Sequence, residues 1–150
     1  MSACLILATT HISKSQSGTL DNTFGTGGIV TTTIGSSYAS GRSIAIQSDG
    51  KIVVAGYYSN GSNYDFALVR YNSNGILDAT FGTNGIVSTP IGSFDDNGNS
   101  VVIQNDGKII VVGYSNNGTN NDFVVVRYNS NGVLDNNFGT GGKITTDFGS

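Results

Sequence analysis

Glutamate and tryptophan are missing from this 150-residue chain, and proline, cysteine and histidine occur once each. Every acidic side chain is therefore aspartate, which suits turns where glutamate suits helices. The lone Cys4 forms no internal disulfide and says little about redox compartment; an uncrosslinked, asparagine-rich chain is compatible with a secreted or cell-surface setting. With His11 as the only histidine there is no Cys/His cluster for zinc, no Ser-His-Asp set with a plausible elbow, and no implied cofactor. Charged residues make up 11% of the chain, well below the roughly 25% usual for a soluble protein. The net charge is −3 and the basic residues are not grouped, so the surface lacks what a phosphate backbone requires and nucleic acid is excluded as a partner class. No apolar run is long enough to span a membrane; Cys4–Ala8 is five residues long, lacks a basic flank, and reads as a stray strand or the remnant of a signal peptide.

What is abundant is glycine, 22 residues of it, together with Asn, Ser and Thr. The length is sufficient for one domain with a real core. An internal period organises it. Gly18, Gly75 and Gly132 lie 57 residues apart, as do Asp21, Asp78 and Asp135, and Phe24, Phe81 and Phe138. Residues 18–74 align with 75–131 without a gap, identical at 36 of 57 positions, and 132–150 begin a third copy; residues 1–17 match no part of the repeat. Each copy holds four short runs rich in Val, Ile, Tyr, Phe and Thr, which read as strands. In the first copy they are Gly28–Ile34, Ser43–Gln47, Lys51–Ser59 and Asp65–Asn72; in the second, Gly85–Ile91, Ser100–Gln104, Lys108–Ser115 and Asp122–Asn129. Asp49-Gly50 and Asp106-Gly107 predict type I′ hairpins, and Asn60-Gly61 and Asn117-Gly118 open a second turn. Gly35–Arg42 reads as a longer link, and Ser73–Asn84 as the link joining one four-strand unit to the next.

Ile109–Val112 and Phe123–Val126 show no polar alternation, so these strands need a covering layer on both faces. Antiparallel four-stranded meanders stacked between like units are propeller blades, and the predicted fold is all-β, a partial, open β-propeller. A linear β-solenoid is the alternative, but its coils are usually shorter, on the order of 20–30 residues, and lack Asp-Gly hairpins.

Three motifs recur in fixed order: Gly-x-Leu-Asp-x-x-Phe-Gly-Thr-x-Gly (Gly75 to Gly85), Gln-x-Asp-Gly-Lys-Ile (Gln104 to Ile109) and Asp-Phe-x-x-x-Arg-Tyr-Asn (Asp122 to Asn129). They recur at Gly18–Gly28, Gln47–Ile52 and Asp65–Asn72, and the first again at Gly132–Gly142. Over residues 18–150 the chain resembles the delta-60 repeat. The resemblance implies a β-propeller-like fold in bacterial proteins that are often large and exported; it implies no known activity and carries over no catalytic residues. Members of that family usually hold many copies, whereas this chain holds about two and a third.

The recurring Asp21, Asp78 and Asp135 read as turn caps between units, with Leu77 and Phe81 beneath them. Arg70 and Arg127 sit in otherwise apolar strands and need an acceptor, either a repeat aspartate or the carboxylate of a ligand. Asp95-Asp96-Asn97-Gly98-Asn99 reads as a solvated Asx-rich loop or a calcium loop, although its spacing fails the EF-hand pattern. Tyr57, Tyr58, Asn60 and Tyr64 crowd one loop and Tyr114 and Asn117 its counterpart, a pattern that fits either a polar hairpin end or a sugar-stacking surface. Asn60-Gly61-Ser62 and Asn117-Gly118-Thr119 match the glycosylation sequon, a weak signal in such turns. Gly25-Thr26-Gly27-Gly28 precedes a strand, so no helix N-terminus is there to hold a phosphate.

These features point to a non-catalytic recognition or scaffolding surface with a protein or glycan ligand, not an enzyme. A lectin-like propeller fragment is one alternative; a piece of a larger exported repeat protein without independent function is another. Two copies cannot close a ring, so either chains self-associate through exposed blade faces or edges, with the lone strand Lys143–Phe148 completing a blade in a neighbour and three chains giving six blades as the first closed assembly to look for, or the chain is marginal and sticky; Cys4–Ala8 covering one end as an extra strand is a further alternative.

Overall fold

The computed structural model describes residues 18–35, 37–147 and 149. The N-terminal run Cys4–Ala8, His11 and the end of the expected strand Lys143–Phe148 lie outside the described residues. Among those described there are eight strands and no helix: β1 Ala39–Ile46, β2 Ile52–Ser59, β3 Tyr64–Tyr71, β4 Ile86–Thr89, β5 Asp96–Ile103, β6 Ile109–Asn116, β7 Asn121–Tyr128 and β8 Lys143–Thr146. They form two antiparallel four-stranded meanders, β1-β2-β3-β4 and β5-β6-β7-β8. This is the all-β, open propeller arrangement expected from the repeat.

The membership of each sheet differs from the expectation that the four runs of one copy pair together. The last three runs of a copy form three strands, and the opening run of the next copy returns to pair with the third: Ile86–Thr89 lies on Phe66–Val69, and Lys143–Thr146 on Phe123–Val126. The break between sheets therefore falls between Thr89 and Asp96, not along Ser73–Asn84. Three consequences follow. Lys143–Thr146 completes a sheet in its own chain, not in a neighbour. The first opening run, Gly28–Ile34, has no ladder among the described residues and makes only an isolated bridge, Thr26 to Ile29. Strands β1 and β5 start earlier than expected, so Ala39–Arg42 and Asp96–Asn99 are strand, not link or loop. Hydrophobic periodicity does not reveal this because those stretches carry no large apolar side chain, and a bulge after Gly41 and again after Gly98 breaks their alternation.

Two kinds of glycine are required by the geometry. A Cβ at Gly56 would lie 1.8 Å from the Ser40 carbonyl oxygen, and one at Gly113 would lie 1.9 Å from that of Asn97, so the bulged strand closes only over a bare backbone. Gly50 and Gly107 adopt φ of +81° at the tight hairpins, but the preceding aspartates are not in the positive-φ region. Gly50 N–H donates to the Gln47 carbonyl at 2.9 Å and Gln47 N–H to Lys51 at 2.8 Å. This is a type I turn followed by a left-handed glycine, the three-residue hairpin with a G1 bulge, and not the expected type I′ turn. Asp49 explains the choice: its carboxylate accepts from Lys51 N–H at 3.1 Å and Lys51 Nζ at 2.9 Å, which holds the type I geometry.

The sheets stack face to face through one apolar core. Val53, Ala55, Phe66 and Leu68 on the back of the first sheet meet Val101, Val111, Val124 and Val126 on the front of the second, and all eight are buried. Phe66 lies over the flat patch made by Gly98 and Gly113. Tyr128 O–H, fully buried, donates to Thr89 Oγ1 at 2.8 Å across the interface; burial pushes this phenol well above its ordinary pKa.

Candidate functional site

Of the three repeat aspartates, Asp21 caps its turn through Thr23 N–H and Oγ1, and Asp78 and Asp135 pair with the two repeat arginines. Arg70 Nε donates to Asp78 Oδ2 at 2.9 Å, and Arg127 Nε to Asp135 Oδ2 at the same distance. The other oxygen of Asp78 caps its turn, accepting from Thr80 N–H at 3.1 Å and Thr80 Oγ1 at 2.7 Å. Each guanidinium lies over a repeat phenylalanine, Arg70 at 4.4 Å from the Phe81 ring and Arg127 at 4.5 Å from Phe138. Arg70 Nη1 also donates to the Ser130 carbonyl at 2.5 Å, which ties the first sheet to a turn of the second. The Thr80 hydrogen bonds, helped by the Arg70 and Lys51 charges and opposed by burial, hold the Asp78 carboxyl below the ordinary range. Both arginines have their acceptors inside the fold, which leaves the reading of a clamp for a ligand carboxylate without support.

Asp95 and Asp96 are likewise used internally. Asp95 Oδ1 accepts from Tyr64 N–H at 3.0 Å, and Asp96 Oδ2 from Ile91 and Gly92 N–H at 2.7 and 3.2 Å. Asp96 Oδ1 is buried and accepts no hydrogen bond from the described residues. Asp96 is fully buried, so the solvated-loop reading is corrected as well. Among the described residues no group of three or more His, Cys, Asp or Glu side chains is placed to hold a metal ion. No described helix is long and apolar enough to cross a membrane.

The tyrosine-rich hairpin divides into two parts. Tyr57 and Tyr64 point to the back of the first sheet and pack edge to face at 5.3 Å between ring centroids. Tyr38 joins them, 6.1 Å from Tyr57 and 6.0 Å from Tyr64. Arg42 closes the group: its Nη2 donates to the Tyr57 hydroxyl at 2.6 Å, and its guanidinium lies 5.2 Å from that ring. That hydrogen bond is the main reason the Tyr57 phenol is drawn below its usual pKa. Tyr58 is on the opposite face, where its hydroxyl shares a hydrogen bond of 2.9 Å with Ser88 Oγ.

Asn60 and Asn117 belong to their turns. Asn60 Oδ1 accepts from the N–H groups of Ser62 and Asn63, and its Nδ2 donates to Asp65 Oδ2 and Asn63 Oδ1. Asn117 repeats the pattern with Thr119, Asn120 and Asp122. Tyr114 occupies the Tyr57 position of the second sheet, where Asp95, Asn99 and Asn121 stand in place of Tyr38, Arg42 and Tyr64. Tyr38 and Arg42 were missed as candidates. Position-by-position comparison of the two copies would have found them, since both exchanges change chemical class.

A family described as a β-propeller domain of unknown function (DUF5122) matches residues 47–81 and 104–138. Each segment runs from the Asp-Gly hairpin through the Arg strand to the repeat phenylalanine. The chain is thus a propeller-type repeat protein, in agreement with its two stacked antiparallel sheets. No curated protein and no solved structure matches it.

Proposed function

We infer that the chain is a non-catalytic module of the delta-60 type, in which rigid propeller sheets scaffold a recognition surface. The observation that supports this is the Tyr38, Tyr57 and Tyr64 cluster with Arg42, present on one sheet and replaced by Asp95, Tyr114, Asn121 and Asn99 on the other. A repeat kept at 36 of 57 positions departs in chemical class at three of these four. Tyr38 is half exposed at 49%, so part of the aromatic cluster remains open to solvent beside a cation. Tyrosines set in this way offer contact area with little conformational entropy to lose, and they suit the apolar face of a sugar ring flanked by hydroxyls. A glycan is therefore the first ligand class to test, with a protein loop as the second. Self-association through the exposed sheet faces belongs to the same scaffold reading.

A glycan array probed with the soluble chain, followed by Tyr38→Ala, Tyr64→Ala and Tyr114→Ala, is the test. The expected result is binding lost with the first two variants and kept with the third. No binding to any glycan, or binding indifferent to Tyr38 and Tyr64, would refute the carbohydrate reading and leave the protein-ligand reading to be tested by cross-linking.

A further inference from the structure

We propose that the front of the first sheet and the back of the second are the two halves of one head-to-tail interface between copies of this chain. The argument rests on an interface the chain already contains. Inside the molecule the back of sheet one packs on the front of sheet two. Because the sheets are built from repeated sequence, each outer face is the counterpart of a face that is buried within; on the front of sheet one Ala67 and Val69 are already buried, beside Thr32 and Ile34, and the exposed part is the β1 side. Val101 on the covered front is 5% exposed; its counterpart Ile44 on the open front is 62% exposed, and Ile46, counterpart of the partly buried Ile103, is 69% exposed. Ala55 on the covered back is fully buried; its counterpart Val112 on the open back is 40% exposed. Arg70, held at the junction, has a side chain 7% exposed against 21% for Arg127.

The receiving geometry is also repeated. Phe66 packs on Gly98 and Gly113, and the counterparts of those glycines, Gly41 and Gly56, border a hollow of about 90 Å³ on the front of sheet one, which Thr32 and Ile34 also line. The chemistry that seats one sheet on the next is thus present on both unused faces, in complementary halves. The contact is heterologous, so it closes into a ring or continues as a filament. Two, three or four chains of two sheets give four, six or eight blades, within the propeller range of about 4–8.

One segment must move for this contact to form. Thr32 shares a hydrogen bond of 2.6 Å with the Tyr71 hydroxyl, and Gly25 N–H donates to the Asn74 carbonyl at 2.8 Å. Thr89 with Tyr128, and Gly82 with Asn131, make the corresponding bonds at the internal junction. The residues that an incoming chain brings to the Tyr71 hydroxyl and the Asn74 carbonyl are Thr146 and Gly139, the next members of each series. Its β8 is held by a four-residue ladder on β7, whereas Ile29–Ile34 has no ladder among the described residues. The resident Thr32 segment therefore gives way to the incoming β8.

Size exclusion with light scattering on the full chain, across the micromolar range, reads the association. The chain is expected to assemble with rising concentration; a monomer throughout overturns the proposal. Ile44→Asp spoils only the front and Val112→Asp only the back, with Val102→Asp as a second variant on the back. Each variant alone is expected to stay monomeric and folded by circular dichroism, and an equimolar mixture of a front and a back variant to form a dimer and nothing larger. Ser62→Asp, at a hairpin tip, is expected to assemble like the parent. Self-association that survives either face variant, or a mixture that stays monomeric, overturns the head-to-tail assignment. Thr32→Val costs the monomer a bond that the assembly regains through Thr146, so it is expected to strengthen association; unchanged or weaker association refutes the displacement.

Discussion

The repeat places the same ion pair in two settings within one chain, so its contribution can be read against an internal control. Asp78→Asn removes the charge that balances Arg70, while an amide of the same shape keeps an acceptor for the Thr80 turn. Arg70 and Asp78 side chains are 7% and 6% exposed, so the guanidinium left behind has little access to water. Loss of one partner from a buried pair costs about 3–5 kcal/mol. Asp135→Asn makes the same change where the Arg127 side chain is 21% exposed and can hydrate. Its cost should fall to that of a charged hydrogen bond, about 1.5–3 kcal/mol. Urea denaturation of both variants at a concentration below assembly measures the difference. Acid titration adds a sign. The Asp78 carboxyl is held below its ordinary value, so it stabilises the fold above the unfolded carboxylate range and loses that contribution as pH falls through the folded value. The Asp78→Asn variant should therefore lose less stability between about pH 4 and pH 2 than the parent. Equal costs for the two substitutions, or a larger cost at Asp135, would refute the argument that burial by the neighbouring sheet decides the value of the pair.

Phe81 is fully buried beneath Arg70, and Phe81→Ala should cost about 3–5 kcal/mol, seen as a lowered thermal midpoint. Gly107→Val places a β-branched residue at φ +81° and should destabilise the fold by more than about 1 kcal/mol, read as a lowered denaturation midpoint, although the nearest heavy atom to the new Cβ, on Ser130, is an ordinary 3.7 Å away; the strain is in the backbone, not in a clash. Gly56→Ala differs in kind, because its Cβ would meet the Ser40 carbonyl oxygen at 1.8 Å; loss of amide-exchange protection in β1 and β2 ahead of β5 and β6 is the expected signature. Tyr128→Phe removes the buried bond to Thr89 and should cost about 1 kcal/mol by chemical denaturation.

The sequence alone determined the unit of the fold. A 57-residue period, four apolar runs per copy and Asp-Gly or Asn-Gly between them permit little besides stacked antiparallel meanders, because strand and turn preferences act over a few residues and repeat faithfully. The pairing of a repeat arginine with a repeat aspartate was also legible, since a charge in an apolar strand must find its opposite. Which runs share a sheet was decided only in three dimensions. Residues 85–91 are equally strand-like whether they open their own unit or close the preceding one; the choice lies in the Arg70–Asp78 turn, which sends the chain back onto β3. The turn type at Asp49-Gly50 likewise depended on where the Asp49 carboxylate reached. The candidate site shows the same division. Tyr57 and Tyr58 are neighbours in sequence and sit on opposite faces, whereas Tyr38 and Arg42, missed in the sequence, converge on Tyr57 across the β1–β2 pairing. Side-chain alternation along a strand separates adjacent residues, and register brings distant ones together; neither is visible until the partner strand is in place.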